Sequence, residues 1–436
     1  MEEKKTSTFE KIAYAMGDSG SGSFVWLFTS SFLMLYYTDG VLAAAGTIGT
    51  MMLIMRVFDG FSDILFGVLL ENTSTRIGKA RPWFGASSIP LVISFILMFH
   101  VPSNIGKTAQ LIYISITYFL MTVVMYTINN LSLHSMLSRI SLDSDDRNKT
   151  STVRSIMGGV VGLLVSVFTT VILNALGGEK QQHSWTVIVF IYGALCLAMQ
   201  SVCFFGCREK IPALKGDKRK GNNVSEGFKE LFHNKYFYIT ILIFVMNSLS
   251  GGTLTGAAIY YARDVLLNSN SYAMLAIAFL LPGVIAQAFV PALTRKFGKK
   301  RLFTMSSIVV TAGSVIGMLF PRNLIVVLIA LVINSIGGAP FQSLIYTLAP
   351  DIVDYLEKKT GKRWEGLTTS ATSFGSKVGT GLGIAIVGWV LDLGNYSGEL
   401  AVQPQSAQIA EIALVFLIPM LAGILRLMCV AKWDLS

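Results

Sequence analysis

Apolar runs long enough to cross a bilayer, about 20 residues each, recur near residues 12–37, 43–70, 82–102, 109–138, 150–176 and 184–207. A second set follows near 236–262, 271–294, 302–320, 323–349, 366–391 and 408–431. Short polar connections separate them. The pattern predicts about twelve membrane-spanning helices, no large soluble domain and no cleavable signal peptide before the first span. The expected fold class is therefore an all-α polytopic membrane protein.

The connections carry a repeat. Thr75 to Arg81, after the second span, is echoed by Arg295 to Arg301, after the eighth, with Gly78 and Gly298 about 220 residues apart. A looser match at nearly the same offset sets Arg147 and Thr150 to Arg154 against Arg363 and Gly366 to Ser370. The chain reads as a duplicated six-helix unit. Expected boundaries are 1–207 for the first half, 208–235 for a polar, Lys-rich cytoplasmic linker, and 236–436 for the second half. Two such halves with polar residues at mid-membrane depth match the layout of an alternating-access transporter.

Composition agrees with a membrane protein: 53% of residues are hydrophobic and only 14% charged, against about 25% charged in soluble domains. The net charge of +10 raises nucleic acid as a partner, but the basic residues alternate by loop. Arg76, Lys79 and Arg81 follow the second span, and Arg139, Arg147, Lys149 and Arg154 follow the fourth. Arg208 to Lys235 holds eight Lys or Arg, Arg295 to Arg301 five, whereas the other loops hold only Lys107, Lys180, Arg263 and Arg322. By the positive-inside rule both termini and the even-numbered connections are cytoplasmic. The basic surplus reports topology, and the partners expected are membrane lipids and a small solute, with no nucleic acid. Cys196, Cys203, Cys207 and Cys429, and the scattered His100, His134, His183 and His233, form no metal or redox spacing.

The chemistry lies in the charges inside the spans. Arg56, Asp59 and Asp63 are the only charges between Ala43 and Leu70, and residues three, four and seven apart share a helix face. Each charge in hydrocarbon costs roughly 2.5–3.5 kcal/mol on insertion scales, so such residues face partners or a wet cavity. The competing reading is a purely structural salt bridge that pins the second span to its neighbours. The first span contributes Asp18 within a Gly/Ser run from Gly17 to Ser23, either lining the cytoplasmic half of a cavity or pairing with a loop Arg or Lys. The fourth contributes Tyr126, Thr127, Asn129, Asn130, Ser132, His134 and Ser135. This stripe suits a polyhydroxyl ligand, with interhelical hydrogen bonding as the alternative. The eleventh places Lys377 about three turns into the membrane. Asp18, Asp59 and Asp63 against Arg56 and Lys377 leave one negative charge, which a monovalent cation or a proton would neutralise; counting Arg154 at the start of the fifth span brings the balance to zero. The basic loops themselves are candidates for cytoplasmic ion pairs with Glu71, Asp351 or Asp354.

At these residues the chain resembles the glycoside-pentoside-hexuronide:cation symporters of the major facilitator superfamily, the group containing melibiose, glucuronide and pentoside permeases. The likeness covers nearly the whole chain. It rests on Tyr14 to Asp18, Tyr36 to Asp39, Arg56 to Asp63, Thr75 to Trp83, and Asp351 to Tyr355 through Lys359 to Gly366 and on to Lys377. The resemblance implies the major facilitator fold and cation-coupled symport of a glycoside, pentoside or hexuronide, with no enzymatic step and no cofactor beyond the coupling ion (Na⁺ or H⁺, with Li⁺ a third candidate). It implies cation ligation by Asp59, Asp63 and Thr127, and substrate contacts at Tyr126, Asn130, His134, Arg154 and Lys377, which Asp18 would join. Arg56 and Arg363 would complete a charge network. The chain departs from the melibiose type, which has Asp where Gly22 and Asn130 stand and Trp where His134 stands. Asn130 is similar to the glucuronide and pentoside permeases, although Leu131, Ser132 and Leu133 replace the Pro and aromatic that usually follow. A pentoside or uronide conjugate is therefore expected over an α-galactoside, and Arg154 with Lys377 favours an anionic sugar. The alternatives carried are a lipid, lysolipid or other organic-anion carrier of the same fold, and a non-transporting sugar sensor.

Overall fold

The computed structural model describes residues 6–140, 144–210, 231, 234–360, 365–400 and 402–434. Among them the regular structure is helical, apart from one isolated bridge between Thr75 and Gly78. The chain divides into two compact units, Met1–Lys215 with Ser397–Ala401, and Gly216–Tyr396 with Val402–Ser436.

In the first unit, α1 runs over residues 8–40, opening on a capping box in which Ser7 and Glu10 satisfy each other's backbone N–H groups. It widens into π-helical turns at Gly20–Leu27 and Tyr36–Gly40. Then follow α2 (Ala45–Asn72), α3 (Arg81–Met98), α4 (107–140, π-helical at Phe119–Tyr126), α5 (Ser144–Ala175) and α6 (Gln182–Gly206). α1 packs on α5 and α6, and α3 on α4 and α6. One end of this core is a nest of rings, Phe28, Phe95, Phe99, Trp185 and Tyr192, packed largely edge to face.

The second unit contains α7 (235–265, π-helical at Tyr261–Val265), α8 (Ser271–Gln287), α9 (Val290–Phe297), α10 (Lys299–Leu319), α11 (Leu324–Leu344), α12 (Leu348–Thr360), α13 (Glu365–Leu393) and α14 (405–431, π-helical at Ala413–Leu417). α8 and α9 meet at a bend of 59° and together are apolar and long enough to cross a membrane. The packing repeats that of the first unit: α7 lies on α13 and α14, and α10 on α11 and α14. Small residues bring α7 and α13 together, since a Cβ at Gly383 would meet the Leu249 carbonyl oxygen at 2.6 Å. α12, in the connection after the tenth expected span, buries Ile352 and Leu356 in a core with Tyr236, Phe237 and Trp433.

Nine helices among the described residues are long and apolar enough to cross a membrane, or ten with the bent pair. The two remaining expected spans correspond to α1 and α2. Both are long enough, but the Gly/Ser run of α1 and the charges of α2 dilute their apolar character. The expected count of twelve thus rests on the helices that carry the polar chemistry.

The basic connections are fastened within each unit. Glu209 accepts backbone N–H bonds from Lys79 (3.0 Å), Ala80 (2.8 Å) and Arg81 (2.8 Å) and lies 3.9 Å from Arg139. It thereby caps the open N-terminus of α3, which has no local cap. In the second unit Lys299 pairs with Asp351 and Lys300 with Asp434, each at 2.6 Å. The Lys300 ammonium holds the Asp434 carboxyl below the usual carboxylate range. Of the carboxylates expected to meet these loops, Asp351 does so and Glu209 was not anticipated.

Candidate functional site

α2 carries Arg56 and Asp59 into the first unit with 3% and 4% of their surface exposed. Asp59 receives a hydrogen bond on Oδ1 from Thr127 Oγ1 of α4 (2.9 Å) and on Oδ2 from Arg56 Nη1 (3.4 Å). The latter is long for a charge-assisted pair, for which 2.7–2.9 Å is usual. Ser62, one turn further along α2, lies 3.3 Å from Thr127 Oγ1 and donates to the Asp59 carbonyl (2.9 Å). Asp63 follows Asp59 by four residues and so shares its helix face. A buried carboxylate, two hydroxyls and a second carboxylate on that face are the hard oxygen donors that Na⁺ or Li⁺ prefers, and the carboxylates would serve a proton equally.

The polar stripe of α4 splits into two faces. Asn129 turns inward, donating to Ser87 Oγ of α3 (3.1 Å) and exchanging hydrogen bonds with Gln200 of α6 (3.2 and 3.0 Å). It and the buried Ser132 belong to interhelical packing. Tyr126, Asn130 and His134, at i, i+4 and i+8, form the other face, with Asn130 Nδ2 3.5 Å from the Tyr126 hydroxyl. His134 Nδ1 lies 3.0 Å from Arg154 Nη1 of α5, and its Nε2 lies 3.9 Å from Asp18 Oδ1 of α1; Arg154 reaches the same Asp18 oxygen at 3.7 Å. A guanidinium only donates, so His134 Nδ1 is the acceptor and the ring proton sits on Nε2, toward Asp18. The pairing of Asp18 with Arg154 is the alternative weighed from the sequence. It leaves all three side chains only partly covered, at 22–41% exposed.

One residue overlooked in the sequence joins these groups. Trp26 of α1 has the Arg56 guanidinium 4.1 Å above its ring and stacks on Tyr126 at 4.6 Å and 20°. Its only signal was a single indole after a Gly/Ser run. Ser62 was also missed, although it lies between the two α2 carboxylates.

Lys377 lies on α13 of the second unit, half-buried, and Arg363 falls outside the described residues. The sequence tally of deep charges also passed over two buried residues of α14. Arg426 (3% exposed) donates from Nη1 to Asn247 Oδ1 (2.9 Å) and stacks 4.7 Å from the Phe341 ring centroid. Glu411 is fully buried. They are of opposite sign and leave the tally as it was, but Arg154, 3.7 Å from Asp18, brings it to zero.

The MFS/sugar transport protein family matches residues 13–436 of the chain. A putative glycoside/cation symporter of Escherichia coli (strain K12), YagG, is 31% identical over 405 residues, which are 91% of this chain and 85% of that protein. The isoprimeverose transporter of Lactiplantibacillus pentosus is 25% identical over 411 residues, 93% of this chain and 85% of that protein. Among solved structures, the nucleoside transporter NupG shares the fold with a TM-score of 0.66 at 12% identity, covering 98% of this chain and 100% of that one.

Proposed function

The chain belongs to the MFS/sugar transport protein family, and from that premise we propose that it is a cation-coupled symporter of a small glycoside, pentoside or hexuronide. It works by alternating access, with 1–207 and 236–436 as its halves and 208–235 as the linker. Asp59, Asp63 and Thr127 hold the coupling cation, Na⁺ or H⁺. Asp18, Tyr126, Asn130, His134, Arg154 and Lys377 contact the substrate, and Arg56 and Arg363 balance charge. The protein resides in the cytoplasmic (inner) membrane with both termini inside. The relatives' printed functions, glycoside/cation symport and isoprimeverose transport, support this reading.

The observation that carries it is the junction at 126–127. Thr127 donates to the buried Asp59 carboxylate, while Tyr126, its chain neighbour, faces Asn130 and the sugar-side stripe. An ion ordered at Asp59 and a sugar ordered at Tyr126 thus share one helical turn, and binding of either changes the other's affinity by the same factor.

The test is uptake of radiolabelled melibiose, a methyl xyloside and a β-glucuronide into vesicles, with and without an inward Na⁺ or H⁺ gradient, for wild type and Asp59→Asn. Gradient-stimulated uptake of one sugar is expected in the wild type. Asp59→Asn abolishes that stimulation while gradient-free exchange persists. Uptake that ignores both gradient and mutation overturns the proposal.

A further inference from the structure

Arg56 is placed as if it were a stand-in for the ion. Its guanidinium faces the Asp59 carboxylate, yet only Nη1 engages it, at 3.4 Å; Nε has no hydrogen-bond partner, and the Tyr118 hydroxyl lies within reach of the same guanidinium. The guanidinium also engages carbon: it lies 4.1 Å from the centroid of the Trp26 ring, a geometry that attracts a cation to the negative face of an indole. The opposite side of the aromatic pair is Tyr126, 4.6 Å from Trp26 and nearly parallel to it. Asp59, Arg56, Trp26 and Tyr126 are therefore stacked in series, and Thr127 closes the loop back to Asp59.

Both aromatic residues lie in π-helical stretches, Gly20–Leu27 of α1 and Phe119–Tyr126 of α4. Such widened turns rotate the side chains that follow and concentrate at functional sites. One π-helical stretch from each of two separate helices thus lies at this stack.

We propose that Trp26 is the positioning residue that couples the two ends of the site: it holds Arg56 back from Asp59, keeping that carboxylate available to the cation, and passes the resulting shift to Tyr126. The inference rests on the cation role proposed for Asp59. Without an ion, Arg56 supplies the positive charge at a distance. When an ion enters, the guanidinium is repelled toward the indole, and the indole's contact with Tyr126 changes on the sugar side. Removing Trp26 lets Arg56 close fully on Asp59, so the cation competes against a tighter internal ion pair.

The test measures cation affinity alone, on the purified full chain in lipid nanodiscs. Na⁺, Li⁺ and, in Na⁺-free choline buffer, protons are titrated against thermal stability, and the cation that binds wild type is used throughout. Trp26→Leu is expected to weaken that cation by about 2- to 30-fold, the span of one partly desolvated cation–π contact. Arg56→Gln is expected to tighten it, and Trp26→Leu added to Arg56→Gln to have no further effect, because Trp26 acts through Arg56. Tyr126→Leu shifts cation affinity in the wild-type background, and not in Trp26→Leu; Tyr126→Phe leaves it unchanged. A merely structural Trp26 would lower the melting temperature without moving the cation midpoint. Equal effects of Trp26→Leu with and without Arg56, or no effect in either, overturn the coupling role while leaving the symporter reading intact. Absence of any cation effect in the wild type overturns both.

Discussion

At the scale of single residues, the site is defined as much by what it lacks as by what it holds. A Cβ at Gly22 meets nothing within 4 Å, so the position where the family resemblance would put the Asp of the melibiose type is open space here. Asn130 presents an amide where that type has a second carboxylate. Each charge-assisted hydrogen bond to a sugar hydroxyl is worth about 1.5–3 kcal/mol, roughly 10- to 150-fold in affinity. Gly22→Asp combined with Asn130→Asp is therefore expected to raise melibiose uptake at least tenfold over wild type, with each single change giving much less, because a hydroxyl gripped from one side only stays mobile. Unchanged melibiose uptake in the double variant, with the protein present in the membrane, would count against the substrate role proposed for Asn130. Arg56, Asp59 and Asp63 were legible as a group because ionisable residues stand out in an apolar run, whereas Thr127 was singled out by the family resemblance; the structure brings Thr127 and Arg56 to Asp59. Trp26 was not, since hydropathy cannot distinguish an indole that fills a core from one that carries a guanidinium. Arg426 escaped for another reason. It stands five residues from the end of α14, where an Arg ordinarily reads as a snorkelling terminus, yet it is turned inward.

At the scale of elements, the duplicated basic loops show how one motif meets two environments. Gly78 and Gly298 both have positive φ, +122° and +78°, a conformation that favours glycine, which is why glycine stands at the same place in both. Only the first is also crowded, since a Cβ at Gly78 would collide with the Glu209 carboxylate whereas one at Gly298 meets nothing. Glu209 in turn supplies the cap that α3 lacks. Glu209→Ala is expected to cost about 1–3 kcal/mol by leaving buried N–H groups unsatisfied, read as a lowered melting temperature of the purified protein with cation affinity unchanged. Gly78→Ala should destabilise more than Gly298→Ala, and its excess should shrink in a Glu209→Ala background, where the collision is relieved. Equal costs for both glycines in the wild-type background would refute this account. The glycine spacing was visible in the sequence. The Glu209 clamp was not, because it joins residues 128–130 positions apart and has no periodicity to betray it. The π-helical turns were likewise invisible: they change the number of residues per turn without changing which residues are apolar.

At the scale of the whole molecule, the helical class was readable because a bilayer imposes it, and the duplication because the basic loop after the second span is echoed after the eighth. Backbone polar groups in hydrocarbon must be satisfied within each span, so long apolar runs become helices, and loop charge sets their direction. The limit of that reading is met at α1 and α2, where glycines, serines and charges serve the site at the expense of the apolar signature. The orientation proposed from the loop charges has a direct test. All four native cysteines are buried, so single introduced thiols can be read against a low background. Lys180, in the short connection between α5 and α6, and Lys296, at the end of α9, are both exposed. Five Lys or Arg crowd the Arg295–Arg301 stretch around the second, while the first stands in a connection with no other basic residue before His183. In intact cells a membrane-impermeant maleimide is expected to label Lys180→Cys and to leave Lys296→Cys untouched until the membrane is permeabilised. The reverse pattern would place the termini outside. It would also turn Asp18, expected to line the cytoplasmic half of a cavity, toward the exterior, together with His134 and Arg154 beside it.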